Sequence, residues 1–393
     1  MNIKKLDTIQ SVLDEMTSSC YTPGINCLIL KDGKEVAYYE SGYADVENKK
    51  PISRDSLFRL YSMSKTVTSV ATLMLVEQGV IDLFENVSTY LPGFKNPTVA
   101  LSDGTTRAAN REVRIYDLLN MISGIPYPNN NNASGIAVDK LTNELIEKMD
   151  TPNAISTVDF ANRLGACPLS FDPGSHLLYG FSADILGAVI EVASGQKFSD
   201  FLENNIFKPL GMNSTSFYVS AENLTRLTKV YTSKGDSLEL YTFPNLGVSN
   251  HMKSSPAFES GGAGLCSQID DFVPFTQMLL NNGIYNGTRI LSPQTVKYLS
   301  SHHIENHLKA DFDRDWQHLS GYSYGNLVRV MVNASQAMSL GENGEFGWDG
   351  WLGTYVAIDP VNKLTILLMQ QRFDTGTTEY TRKIKNIIYS SLE

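Results

Sequence analysis

Apolar residues recur at helical spacing over 3–17, with acidic residues spread through the polar positions. Residues 24–30 then read as a strand, 31–34 carry the turn signal Lys-Asp-Gly-Lys, and 35–42 complete a hairpin. From Thr66 the helical period returns: Val67, Val70, Ala71, Met74 and Leu75 share a face, and Gln78-Gly79 supplies the stop. Further helices are predicted over 114–121, 139–149, 156–164, 181–193, 198–207 and 270–281. Residues 95–111 are polar and turn-rich, 129–132 form an asparagine loop, and helix signals fade over 210–255. The last stretch predicts two strands, 354–358 and 364–370, joined by the turn 359–363, then a closing helix over 377–392. Strands at both ends with helices between them predict an α+β fold in which a helical lobe interrupts a sheet lobe. No internal repeat is seen.

Composition narrows the function classes. With 393 residues, 42% of them hydrophobic, the chain has ample material for a large core in one domain or two lobes. Acidic residues exceed basic ones by 42 to 32, and no long basic run exists, so a nucleic-acid partner is excluded. No run of 18 apolar residues is present, and the start lacks the apolar stretch of a signal peptide, so no membrane association and a cytoplasmic location are expected. Cys20, Cys27, Cys167 and Cys266 are scattered without metal-ligand spacing and are expected to be reduced and mostly buried.

The candidate chemistry lies at the start of the helix after Thr66. Ser62 and Lys65 are three residues apart and so share a helical face. A hydroxyl in a first helical turn, beside an amine and near free backbone N–H groups, is an activated nucleophile with an oxyanion site at hand. The same spacing also fits a buried helix start with a solvated lysine. Ser194-Gly-Gln-Lys197 repeats the pattern and reads as a helix end stopped by Gly195. Gly321-Tyr-Ser-Tyr-Gly325 matches a nucleophile elbow, but no histidine follows it, and it reads as sheet. His303-Ile-Glu-Asn-His307 has the i, i+4 histidines of a zinc helix without the adjacent glutamate, and reads as a surface segment.

Three stretches together carry a resemblance: Ser62-Met-Ser-Lys65 with its helix, Pro173-Gly-Ser-His-Leu-Leu-Tyr-Gly-Phe-Ser182 with its helix, and Gly347-Trp-Asp-Gly-Trp-Leu-Gly-Thr354. They resemble the serine β-lactamase and penicillin-binding-protein superfamily, most of all class C-type β-lactamases and family VIII carboxylesterases. The resemblance implies a β-lactamase-like fold: an antiparallel sheet lobe flanked by helices (1–85 and 251–393), a mainly helical lobe (86–250), and an active site between them. It implies Ser62 as the acylated nucleophile, Lys65 and Tyr179 as its proton-handling partners, and the N–H groups of Ser62 and Trp351 as the oxyanion hole. Phe181, Trp348 and Gly350 are implied as substrate-binding residues. No metal and no cofactor are implied, the partner being a small ester or amide; the oligomeric state is left open.

Two departures matter. The family's Tyr-x-Asn is Tyr179-Gly-Phe181 here, and Trp348 replaces the lysine of Lys-Thr-Gly. An amide and a cation are therefore missing from the place where an antibiotic's polar groups would be met. Ester hydrolysis is expected over β-lactam or D-amino-acid peptide hydrolysis. With one lysine fewer, Tyr179 is expected to be a weaker acid than in relatives. A non-catalytic binding protein is the alternative from another class.

Overall fold

The eight strands of the main sheet come from the two ends of the chain. In chain order they are β1 (Gly24–Lys31), β2 (Lys34–Asp45), β3 (Lys50–Pro51), β4 (Tyr322–Gly325), β5 (Val328–Met331), β6 (Phe346–Asp349), β7 (Tyr355–Asp359) and β8 (Leu364–Gln370). Their spatial order is β4-β5-β6-β7-β8-β1-β2-β3, every neighbouring pair antiparallel. The two ends meet at β8–β1, in register from Ile25 opposite Gln370 to Lys31 opposite Leu364. This computed structural model describes residues 1–393 apart from His302.

Alternation along the strands feeds two cores. Ile25, Cys27 and Ile29 of β1, with Tyr355 and Ala357 of β7, face helices α1 (Thr8–Ser18) and α7 (Glu379–Ser390), which add Ile9, Leu13, Met16, Ile384 and Ile388. Leu28, Val356, Ile358 and Leu367 point the other way, into the main core. There they meet α2 (Ser64–Glu77) and α6 (Ile269–Leu280). α2 is buried around most of its circumference because α5 (Ser182–Ser194) packs on its far side. Two more helices, α3 (Ala133–Lys148) and α4 (Thr157–Gly165), build the helical part around α5.

Several elements differ from the sequence reading. α3 begins six residues before the predicted 139, because Asn132 accepts the Gly135 N–H as a helix cap at the end of what reads as a polar loop. The turn-rich stretch 95–111 holds a short hairpin, Thr98–Ala100 with Thr106–Ala108. The stretch 210–255 holds another, Tyr231–Lys234 with Ser237–Leu240. Cys27 and Cys266 are buried and Cys20 and Cys167 partly so, all four as free thiols. Among the described residues no helix is long and apolar enough to cross a membrane.

Candidate active site

Ser62 sits in a single 3₁₀ turn, Tyr61–Met63, that leads directly into α2. Tyr61 just before it holds φ at +44°, a left-handed conformation that a bulky residue adopts only when its surroundings impose it. Those surroundings are visible. The Tyr61 hydroxyl donates to Asn250 Oδ1 at 3.1 Å, and its ring lies 5.3 Å from that of Trp351. Arg59, buried with no carboxylate partner among the described residues, fixes Asn250 by donating to its carbonyl (2.8 Å from Nε) and to the Thr228 carbonyl at 2.6 Å. The turn thereby presents the Ser62 side chain at the mouth of the site while its neighbours Tyr61 and Met63 are buried.

Lys65 follows one turn later and is sealed from solvent. Its Nζ lies 3.0 Å from Ser62 Oγ, 3.0 Å from the Tyr127 hydroxyl and 2.8 Å from the Gly262 carbonyl oxygen. Burial pushes its pKa down to about 7, against the opposing pull of the Asp184 and Asp349 carboxylates. Asp184, on α5, supports this arrangement from behind. It accepts hydrogen bonds from the Ser260 hydroxyl and, at 3.1 Å, from the Gly262 N–H. The approach is so close that a Cβ on Gly262 would lie 2.5 Å from Asp184 Oδ2, and one on Gly261 would lie 2.4 Å from the Ala183 carbonyl oxygen. Two successive glycines therefore let the 260–264 loop press between α2 and α5 and aim a carbonyl at Lys65.

Two tyrosines converge on Ser62. Tyr179 lies in the loop before α5, its ring 4.6 Å from Lys65 Nζ, and it accepts a hydrogen bond from the Trp348 indole N–H at 2.8 Å. Burial holds its phenol well above the usual tyrosine range, and the hydrogen bonds of Ser62 and Trp348 only partly offset this. Desolvation is thus the main cause of its weak acidity. Tyr127, which sequence reasoning missed, is likewise held neutral by burial, with a hydrogen bond to Ser62 opposing. The middle residue of the altered tyrosine motif explains its arrival. A Cβ at Gly180 would lie 2.1 Å from the Ile125 carbonyl oxygen, so only glycine lets the 125–127 loop pass this close.

The expected substrate-binding residues are placed differently from the sequence reading. Phe181 is fully buried; it starts α5 pointing inward, its ring 4.9 Å from Tyr127 and 5.3 Å from Phe160. It supports Tyr127 from behind and offers no surface to a ligand. Gly350 is buried too. Its part is backbone: a Cβ would lie 2.2 Å from the Leu60 carbonyl oxygen, so glycine lets the end of β6 settle beside the Ser62 turn. Trp348 is almost wholly covered by Trp316, Tyr324 and Tyr179, and it acts on the site through its N–H. Trp351 comes next, half-buried. Its carbonyl accepts from Thr375, while its own N–H has no backbone acceptor among the described residues. The Trp351 ring lies against Tyr61, the residue before Ser62, whose own N–H lies in a first helical turn where such groups lack internal partners.

The other patterned residues lie elsewhere. Ser194 ends α5 ahead of Gly195, at φ +68°, and Lys197 pairs with Glu259 at 2.5 Å. Ser323 is buried in β4 and accepts the Ile304 N–H at 3.0 Å. His307 is bonded through Nε2 to the Gly174 carbonyl at 3.1 Å.

The Trp348 contact gives a first test. Trp348→Phe keeps an aromatic ring among Trp316, Tyr324 and Tyr179 and removes the N–H together with two ring carbons, so a thermal melt accompanies the kinetics. A lost buried donor costs about 1–2 kcal/mol, or roughly 5- to 30-fold in rate. The loss is expected in kcat with KM little changed, measured on a p-nitrophenyl ester; an unchanged kcat would remove Trp348 from the proton path.

Comparison with known proteins gives the family and the fold. The family model described as Beta-lactamase matches residues 9–387. Protein Rv1367c of Mycobacterium tuberculosis is 27% identical over 374 residues, covering 93% of this chain and 90% of that protein. A putative D-alanyl-D-alanine carboxypeptidase of Salmonella typhimurium is 27% identical over 397 residues, covering 94% and 83%. Among solved structures, EstCE1, a hydrolase with promiscuous acyltransferase activity, superposes with a TM-score of 0.82 at 25% identity, over 98% of this chain and 99% of that one.

Proposed function

Because this chain belongs to the Beta-lactamase family, we propose that it is a serine hydrolase working through an acyl-enzyme on Ser62, and that its activity is that of a carboxylesterase on small acyl esters. The observation that carries the reading is the sealed Lys65 amine, 3.0 Å from Ser62 Oγ and pushed down to about 7. A neutral amine has two N–H groups and one lone pair. The Gly262 carbonyl can only accept, so it takes one N–H; the Tyr127 hydroxyl takes the other. The lone pair is left for the Ser62 proton.

The steps follow. As the Ser62 proton passes to Lys65, Oγ bonds to the ester carbonyl carbon, and the oxygen becomes an oxyanion between the Ser62 and Trp351 N–H groups. Collapse breaks the bond to the alcohol, which leaves with the proton held by Lys65. Tyr179 is suited to relay it: its oxygen already accepts from Trp348, an N–H that can only donate, so its own hydrogen is free to turn toward Ser62. Water then repeats the sequence and releases the acid.

Ester specificity rests on what the end of β6 offers. It holds a covered indole at 348 and a half-buried carboxylate at 349, and no cation to meet the carboxylate of a β-lactam or of a D-alanyl peptide. The deciding experiment is a panel of p-nitrophenyl esters run beside a chromogenic cephalosporin. Short-chain esters are expected to show the higher kcat/KM. A cephalosporin turned over faster than every ester would contradict the proposed specificity while leaving the Ser62 chemistry intact.

A further inference from the structure

Asp349 has no role in the chemistry above, yet it stands within it. It occupies the last position of β6, between Trp348 and the Trp351 amide, and its charge acts on Lys65 and Tyr179. The Asp349 carboxylate makes no ion pair among the described residues; its only protein donor is the Thr377 hydroxyl, at Oδ2. Oδ1 takes no donor and is not sealed off, since the side chain is only half-buried.

Two chain segments bear on this carboxylate, and the second brings aromatic rings. The first carries His318, on which Asp349 acts electrostatically. The second carries Phe373, 4.4 Å from the Trp351 ring and 4.5 Å from Tyr241, and ends at Thr377. Beyond Tyr241 the strip reaches Phe243, which is 68% exposed. A half-exposed, unpaired carboxylate beside an aromatic strip is the chemistry that holds an ammonium group.

Resting on the reading of Ser62 as the acylated nucleophile, we propose that Asp349 selects substrates carrying an ammonium group in the acyl or the alcohol part. Two other cations bear on Asp349. Arg329 lies within electrostatic range, but it is spread over the Tyr355 ring at 4.3 Å and donates to the Val356 carbonyl at 2.8 Å, without pairing with Asp349. Lys65 is neutral in the state that removes the Ser62 proton, and a cation bound at Asp349 favours that neutral state further. An ammonium substrate and the proton acceptor are therefore compatible, whereas a carboxylate-bearing substrate is repelled.

The test is a charged and an uncharged ester of the same shape. Acetylthiocholine and 3,3-dimethylbutyl thioacetate are compared by kcat/KM on the full chain and on Asp349→Asn, with thermal melting to verify the fold. The wild-type ratio is expected to favour the charged ester roughly tenfold and to fall toward one in Asp349→Asn. A wild-type ratio at or below one, or one that the substitution leaves unchanged, overturns the inference. Should the variant fail to fold, raising ionic strength from about 0.02 to about 0.5 M must shrink the wild-type ratio, and a ratio insensitive to salt counts against it. Calorimetric binding of choline against 3,3-dimethylbutanol separates the two proposals. Choline binding without ester turnover upholds the Asp349 subsite and sinks the esterase reading; turnover of neutral esters without choline binding does the reverse.

Discussion

Ser62→Ala is expected to abolish ester hydrolysis, lowering kcat by on the order of 10⁵-fold or more, because removing one member of a unit that acts together costs nearly as much as removing several. The hydroxyl is the only group that the 3₁₀ turn presents to Lys65, Tyr127 and Tyr179 together. The turn itself is held by Tyr61, Asn250 and Arg59, none of which depends on the Ser62 oxygen, so the variant should fold. Initial rates on p-nitrophenyl acetate, with a thermal melt beside them, check this. Ser194→Ala is the control, since that serine closes α5 far from these partners, and its activity should stay close to wild type. A Ser62→Ala enzyme retaining a tenth of the activity would end the assignment.

The second large effect is at Lys65. Lys65→Met keeps the length and the apolar stem but has no lone pair for the Ser62 proton. Loss of a positioned base costs roughly 10²–10⁴-fold. Removing this buried amine leaves the Asp184 carboxylate without its opposing cation and the Gly262 carbonyl without its donor, so a lower melting temperature is expected alongside the lost rate, and the rates are compared well below it. The pH profile sharpens the test. Burial lowers the Lys65 pKa to about 7, and the active form is the neutral amine. The neutral fraction grows as pH rises, so wild-type kcat/KM should climb through about pH 7 and then level. The residual activity of Lys65→Met should lack that limb. A wild-type profile flat from pH 6 to 9, or a limb of the same midpoint in the variant, would take the proton away from Lys65. A phenolate at Tyr179 is a poor alternative, because burial holds that group protonated across this whole range.

The parts of this site legible in the sequence are those carried by local pattern. Ser62 and Lys65 declare themselves through i, i+3 spacing ahead of a helix, and Tyr179 and Trp348 through their flanking residues. Tyr127, Asp184 and Gly262 were not legible, because they reach Lys65 from three separate segments that only the packing of α2 against α5 brings together. The enabling signals are glycines: Gly180 admits the Tyr127 loop, and Gly261 and Gly262 admit the 260–264 loop. A glycine read alone shows no close approach until its neighbour in space is known. Phe181 was placed at the substrate by its position in the motif; the direction in which α5 starts turned it into the core beneath Tyr127. In the fold, the long periodic elements and the strands at both ends were legible. The short strands around 98–108 and 231–240 were not, being brief, polar and defined mainly by their partner strands.

The central claim is a covalent acyl-enzyme on Ser62. Its most direct test is peptide-mapping mass spectrometry of the protein quenched in acid during turnover of p-nitrophenyl acetate. One acetyl group is expected on the peptide that contains Ser62, absent from Ser62→Ala and lost on further incubation as water completes the cycle. An acetyl group on another residue of a turning-over enzyme, or hydrolysis that continues undiminished in Ser62→Ala, would contradict it.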